Sequence, residues 1–230
     1  MKILIACEES QAVCKEFRAL GHEAYSCDLY ECSGGHPEWH IKGDCLPMLN
    51  GAGKTTEDFI PLFETEDGSR HETPERWDLI IAHPPCTHLS SSGQWAYSKG
   101  KDINLKYDAI KFFMNFVNAD CDKIAIENPI GVMSKEYRKP DQIIQPYWFG
   151  DKAQKSTCLW LKGLPLLKPT NIVDKGEFVE WIDKKTGKKK RQAKYDMEIL
   201  KKAKSSEERS RLRSKTFAGI AKAMAEQWSN

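Results

Sequence analysis

Two short stretches of this chain carry side chains that could do covalent chemistry. The first is Ile80-Ile81-Ala82-His83-Pro84-Pro85-Cys86-Thr87, an apolar run that enters a rigid Pro-Pro corner and displays one thiol. A free thiol with a pKa of about 8.5 is only slightly ionised at neutral pH, yet its thiolate is a strong nucleophile. At the carboxyl end of a sheet strand it could add to an electron-poor carbon. The competing reading, a buried structural cysteine, suits a residue inside a strand better than one after Pro-Pro. The second stretch is Glu127-Asn128-Pro129, which follows the apolar residues 123–126. A carboxyl walled in by Pro, Trp and Ile side chains has its pKa raised and can donate a proton; a helix or turn cap is the alternative. A thiol and a carboxyl on neighbouring strand ends would set a nucleophile facing an acid.

The flanking sequence reads as the α/β frame these residues need. Residues 2–6 form an apolar run typical of a parallel strand buried on both faces. Helical spacing follows at Val13, Phe17 and Leu20, with Gly21 as the stop, and residues 23–29 predict a second strand. This compact strand–helix–strand unit opens a doubly wound, mostly parallel sheet. Further strands are expected at 40–44, 77–82, 123–126 and 157–161, with a helix near 103–118. Residues 50–76 read as a polar surface excursion, and 87–93, with three consecutive serines, as a mobile loop. Ligands of doubly wound sheets bind where strand order reverses, which would bring Cys7, Glu8 and Ser10, together with Asp28 and Asp44, beside Pro84-Pro85-Cys86. An acid at the end of the second strand is where nucleotide-like ligands have their ribose hydroxyls held; a solvated turn residue is the other reading of Asp28.

Two further motifs fail on spacing. Gly53-Lys54-Thr55 suggests a phosphate loop, but Met48 stands where that pattern needs glycine, and no apolar strand precedes it. Cys27, Cys32, His36 and His40 could in principle hold zinc, but their spacing matches no known finger pattern, and no metal is expected.

The 230 residues suffice for one α/β domain with a small appendage. Basic and acidic residues are nearly balanced, 35 against 33, so the overall field is weak. Charge is concentrated instead in Lys184-Lys185-Thr186-Gly187-Lys188-Lys189-Lys190-Arg191. That block would sit at the turn of a hairpin begun by the alternating Phe178-Val179-Glu180-Trp181-Ile182. Charge runs are mostly solvated faces; here the neighbouring Trp181 favours contact with nucleic-acid phosphates. A polar helix is expected to run to about Arg213, followed by an amphipathic tail of Phe217, Ile220, Ala221, Met224 and Trp228. Eight cysteines without framework spacing, no export-type leader and no long apolar run predict a cytoplasmic protein with reduced thiols and no membrane partner. The expected units are residues 1–164 as the main domain, 165–210 as a small variable region, and 211–230 as a helix returning to the main domain.

Pro84-Pro85-Cys86 followed by Glu127-Asn128, after the first strand–helix turn, Asp28 and Gly43-Asp44, resembles the cytosine-5 DNA methyltransferases, above all the short phage and prophage forms. The resemblance spans roughly residues 1–165 and includes the terminal helix. It implies the S-adenosylmethionine-dependent methyltransferase type of sheet with a small C-terminal insertion. It implies that Cys86 adds to carbon 6 of a flipped-out cytosine while Glu127, beside Asn128, acts on ring nitrogen 3. Carbon 5 then takes the methyl group of S-adenosylmethionine, and loss of its proton expels Cys86. Asp28 and Leu29 would hold the cofactor ribose, Asp44 and Cys45 the adenine, and Pro84 its other face. DNA would be the partner, as in DNA methylation and restriction–modification, contacted by Lys155, Lys184, Lys185, Lys188, Lys189, Lys190 and Arg191.

The chain departs from the family at three places. The first turn, Cys7-Glu8-Glu9-Ser10-Gln11, lacks glycine; His83 and Thr87 flank Pro-Pro-Cys in place of glycine and glutamine; and Gln154-Lys155-Ser156-Thr157-Cys158 lacks the family's two arginines. The altered first turn and the missing arginines keep in view a nucleic-acid-binding protein with a degenerate cofactor site. An amino-group DNA methyltransferase is another alternative, but His83 and Cys86 fit poorly the Asp/Asn/Ser-Pro-Pro-aromatic loop of such enzymes. An unrelated thiol enzyme using His83 or His88 as base is a further alternative.

Overall fold

Ile3, Leu4, Ile5 and Ala6 are completely buried, so the first strand lies in the middle of a sheet covered on both faces. The computed structural model describes residues 1–52 and 61–229; the Gly53-Lys54-Thr55 stretch lies outside the described residues. β1 (Lys2–Ala6) is followed by α1 (Ala12–Ala19), β2 (Glu23–Asp28) and β3 (His40–Lys42). After β4 (Leu62–Glu64) and β5 (Arg70–Glu72) come β6 (Leu79–Ala82), α2 (Asn104–Val117), β7 (Ile124–Pro129) and the single-turn α3 (Met133–Glu136). β8 (Gln142–Ile144) and β9 (Thr157–Lys162) complete the sheet, and β10 (Phe178–Ile182), β11 (Lys189–Ala193), α4 (Lys194–Lys202), α5 (Ser206–Ser214) and α6 (Ala218–Trp228) follow.

The seven-stranded sheet has the order β3-β2-β1-β6-β7-β9-β8. Numbered by their own succession, its strands run 3-2-1-4-5-7-6. β3, β2, β1, β6 and β7 are parallel, and β9 runs antiparallel to both neighbours. The expected α/β class with a mostly parallel, doubly wound sheet is therefore observed.

The period of two along each strand divides the core into two layers. Leu4, Ala6, Ile80, Ala82, Ile124 and Ile126 face the layer that Phe113 and Phe116 of α2 cover. Ile3, Ile5, Leu79, Ile81 and Ala125 face the other, covered by Val13 and Phe17 of α1 and by Ile220, Met224 and Trp228 of α6. The amphipathic tail thus finds its surface beside α1, although it is more than two hundred residues distant in sequence. Its entry is tightly fitted: a Cβ at Gly219 would lie 1.8 Å from the Phe149 carbonyl oxygen, and the Gly219 N–H donates to Asp151 Oδ2.

Several boundaries differ from the sequence expectation. β7 does not stop at residue 126 but continues through Glu127, Asn128 and Pro129, because β9 offers them antiparallel partners in Leu159, Cys158 and Thr157. The excursion at 50–76 contains the β4–β5 pair, whose Phe63 is buried against Tyr25 and Trp77. β8, with three residues, is too short for periodicity to reveal. The helix expected to reach Arg213 is broken into α4 and α5, and the Ser205 side chain caps α5 by accepting the Glu208 N–H. Residues 87–93 form no open loop: the Cys86 carbonyl accepts the N–H groups of Leu89 and Ser90, and 3-10 geometry covers Ser91–Lys99.

Candidate active site

Strand order reverses between β1 and β6, and the crevice beyond their carboxyl ends is the site such a sheet prepares for a ligand. On the β1 side the chain turns without glycine. Cys7 and Gln11 instead take positive φ angles of 59° and 55°, a conformation costly for residues with a Cβ. Gln11 is held there by its own amide, which donates to the His36 carbonyl at 2.7 Å and accepts the His36 N–H at 3.1 Å. Glu8 turns inward, and its buried carboxylate accepts the N–H groups of Val13 and Cys14 at the start of α1. The helix terminus that would cradle a ligand phosphate is therefore already capped by a carboxylate. Burial raises the Glu8 pKa, against the opposing pull of His83 and the two N–H donors.

A cavity of about 30 Å³ lies beside this turn, lined by Cys7, Glu8, Glu9, Ser10, Asp28, His83 and the segment Ser214-Lys215-Thr216. The predicted group Cys7, Glu8, Ser10 and Asp28 is thus brought together. Leu29, Asp44, Cys45 and Pro84 do not line the cavity. Leu29 is 71 % exposed; Asp44 is exposed and accepts the Leu46 N–H; Cys45 is buried with its sulfur 3.8 Å from that of Cys7; and Pro84 is buried behind the corner. Glu9 joins the group without having stood out in the sequence, and both its carboxylate oxygens are buried without a hydrogen-bond partner. Desolvation raises the Asp28 pKa, only partly offset by the Tyr30 N–H that its carboxylate accepts. The acids suit a ligand with hydroxyls or positive charge. The volume admits about one or two waters, whereas nucleoside-sized ligands need several hundred Å³.

On the other side, β6 and β7 are adjacent and parallel with Ala82 opposite Ile126, so the next residues, His83 and Glu127, meet at the rim. His83 Nδ1 and Glu127 Oε2 are 3.0 Å apart. Burial works against both charges, but the interaction prevails: His83 has its pKa raised by Glu127 and Glu8, and Glu127 has its pKa lowered by His83, Lys155 and Thr216. The expectation that burial would raise the Glu127 pKa is corrected here. The cause is His83, the residue before the Pro-Pro corner, whose hydrogen bond and charge outweigh the burial. Asn128 donates from Nδ2 to the Pro84 carbonyl at 2.7 Å and so fixes the Pro-Pro corner, while its Oδ1 is buried without a partner.

Cys86 stands just beyond, with the residue exposed. Desolvation by its surroundings still raises the thiol pKa, and Lys155 and Arg213 oppose that shift. Lys155 thus acts on Cys86, His83 and Glu127 together, while its Nζ donates to the Arg213 carbonyl at 2.9 Å. Two cations thus act on the thiol: Lys155, before β9, and Arg213, at the end of α5.

No protein-family model matches the chain, and no curated protein matches it significantly in sequence.

The basic hairpin forms as expected, with β10 and β11 antiparallel. Its charge is less available than the sequence suggests. Lys189 pairs with Glu180 at 2.6 Å, Lys190 pairs with Asp183, and Arg191 lies over the Phe178 ring. Lys184, Lys185 and Lys188 surround the exposed turn, with no carboxylate paired to them among the described residues. The helix after the hairpin is tied to the rim through Asp196 and Arg213, 3.3 Å apart, and through Tyr195 packed on Phe217.

The residues considered for zinc are otherwise engaged. His40 bonds Ser26 Oγ and the Tyr30 carbonyl, His36 bonds Glu38 and stacks on Trp39, and Cys27 donates to the Gly43 carbonyl. Among the described residues, no group of His, Cys, Asp and Glu could hold a metal ion, and no helix is long and apolar enough to cross a membrane.

Proposed function

We propose that this chain is an S-adenosylmethionine-dependent methyltransferase acting on carbon 5 of cytosine in DNA. The observation that carries the reading is the single rim formed by β6 and β7, where the thiol of the exposed residue Cys86 lies within the electrostatic reach of the buried Glu127 carboxyl. A pyrimidine ring requires that pairing: a nucleophile for carbon 6 and a hydrogen-bonding or proton-donating group for nitrogen 3. Desolvation keeps the Cys86 thiol pKa raised, and Lys155 and Arg213 oppose that shift in favour of the thiolate. Asn128 fixes the backbone that presents it. The target base must leave its duplex stack to reach this rim, and the unpaired lysines of the hairpin turn suit the phosphates on either side.

The cofactor, when bound, supplies an electrophilic methyl group on a sulfonium. The cavity chemistry fits it better than it fits a dinucleotide. Glu8 already fills the place of a phosphate at α1, while Glu9 and Asp28 offer carboxylates to hydroxyls and to positive charge. Asp28 would hold ribose hydroxyls, and Glu9 and Ser10 the amino-acid end.

One observation favours a second reading, a nucleic-acid-binding protein without methyl transfer: the cavity of about 30 Å³ behind a turn that lacks glycine. Incubation with labelled S-adenosylmethionine and mixed DNA, followed by nucleoside analysis, separates the two. Label in 5-methylcytosine supports the methyltransferase reading, and label only on an exocyclic nitrogen refutes it. DNA binding with no cofactor uptake favours the second.

A further inference from the structure

Glu127 presents a difficulty on its own. A group that gives a proton to ring nitrogen 3 must hold one, yet His83, Lys155 and Thr216 all favour its carboxylate. The rim contains a second proton carrier. His83 is nine-tenths buried, its Nδ1 lies 3.0 Å from Glu127 Oε2, and its Nε2 is buried with no hydrogen-bond partner. The imidazole belongs to both halves of the site, because the same residue lines the cavity beside Glu8.

Resting on the cytosine reading above, we infer that His83 is a positioning residue for proton delivery: its Nδ1–H supplies, through the Glu127 carboxylate, the proton that ring nitrogen 3 takes up when Cys86 bonds to carbon 6. The Cys86 thiolate, its own proton released to solvent, contributes the electron pair of the new sulfur–carbon bond. The carbon 5–carbon 6 π pair becomes the carbon 4–carbon 5 double bond, and the former carbon 4–nitrogen 3 π pair moves onto nitrogen 3 and takes the proton. The His83–Glu127 pair passes from imidazolium and carboxylate to neutral imidazole and carboxylate. Substitution at carbon 5 uses the carbon 4–carbon 5 π pair and restores the carbon 4–nitrogen 3 double bond. The carbon 5 proton then passes to solvent water, its C–H pair forms the carbon 5–carbon 6 double bond, Cys86 leaves with its bonding pair, and the nitrogen 3 proton returns to the His83–Glu127 pair.

Charges on every packed element bear on this pair. Glu127 on β7 and Glu8 in the turn before α1 favour the imidazolium; Lys155, before β9, opposes it. Lys155 and Thr216, before α6, favour the carboxylate, and Arg213 at the end of α5 acts on Cys86. A proton held against the Glu127 carboxylate, favoured by the charge of Glu8 and opposed by that of Lys155, can be lent and recovered.

The test uses the whole protein and two readouts. In the first, imidazole nitrogen resonances are followed against pH without cofactor. The His83 signal should titrate above the ordinary 6.5, and Glu127→Gln should bring it down; a wild-type His83 that titrates at or below the ordinary value overturns the proposal without any variant having to fold. In the second, exchange of the carbon 5 hydrogen of cytosine in DNA with solvent reports addition of Cys86 independently of methyl transfer. His83→Gln should slow exchange about 10²-fold or more at neutral pH, with the remaining rate rising on acidification as solvent protonates Glu127. A variant that keeps the wild-type rate and pH profile overturns the role of His83 and leaves the cytosine reading intact. Absence of exchange by the wild-type protein, where Cys86→Ala is equally silent, overturns both.

Discussion

His83 and Glu127 meet side chain to side chain at the ends of two parallel strands, 3.0 Å apart and with only 10 % and 12 % of their side-chain surfaces exposed. The strand register makes the contact, since the preceding residues Ala82 and Ile126 are already partners. Proton occupancy at this rim is therefore a property of the pair.

The pair should stabilise the fold over a limited pH window. The His83 pKa is raised above 6.5, so its contribution is complete below that value and is lost as pH rises through the folded pKa. The Glu127 pKa is lowered below 4.5, so its contribution is complete above that value and is lost as pH falls through the folded pKa. Denaturant unfolding of wild-type protein and His83→Gln should therefore differ most between these two values and converge on both sides. A gap independent of pH contradicts the assignment.

Glu127→Gln keeps the shape but removes the carboxylate. Turnover should fall by about 10²- to 10⁴-fold, the usual contribution of a positioned acid or base. Cofactor affinity measured by calorimetry should remain nearly unchanged, because the residue does not line the cavity. An unchanged turnover removes Glu127 from the chemistry.

The lysine block divides into two classes. Charge reversal at Lys184, Lys185 and Lys188 should weaken DNA binding of every sequence alike and flatten the salt dependence, by about 0.9 in the log–log slope for each phosphate that is no longer neutralised. Lys189→Ala and Lys190→Ala should matter less, since Glu180 and Asp183 already hold those charges. Equal effects across all five lysines would contradict this division.

α6 should be indispensable to the fold. Trp228 is buried with its indole N–H donated to the Pro165 carbonyl, so Trp228→Ala is expected to cost about 3–5 kcal/mol. Gly219→Ala should also destabilise, because the new Cβ meets the backbone of Phe149. Chemical denaturation of both variants checks this, and wild-type stability in either would show that the helix is dispensable.

The central sheet is legible in the sequence because its strands are apolar on both faces, as in Lys2–Ala6, and because Cys86 and Glu127 follow such runs directly. The charge state of Glu127 is not legible, since it depends on a histidine 44 residues away that only strand pairing brings near. Arg213 and Thr216 are hidden for the same reason: the resemblance implies that the segment from Ser214 to Trp228 returns to the cofactor site, but nothing in the sequence pairs Arg213 with Cys86 or Thr216 with Glu127. Glu9 carries no signal beyond its place in a turn without glycine. Asp44 and Cys45 were expected at the ligand, but the turn after β3 directs Asp44 to the Leu46 N–H and Cys45 towards Cys7.

The central claim is that Cys86 forms a bond to cytosine carbon 6. DNA carrying 5-fluorocytosine tests it most directly, because fluorine at carbon 5 cannot leave as a proton and the adduct persists after methyl transfer. Incubation with this DNA and S-adenosylmethionine, followed by denaturing electrophoresis and peptide mass mapping, should give a protein–DNA species linked through Cys86 and absent from Cys86→Ala. Methylated product without any covalent species, or an adduct that survives Cys86→Ala, would contradict it.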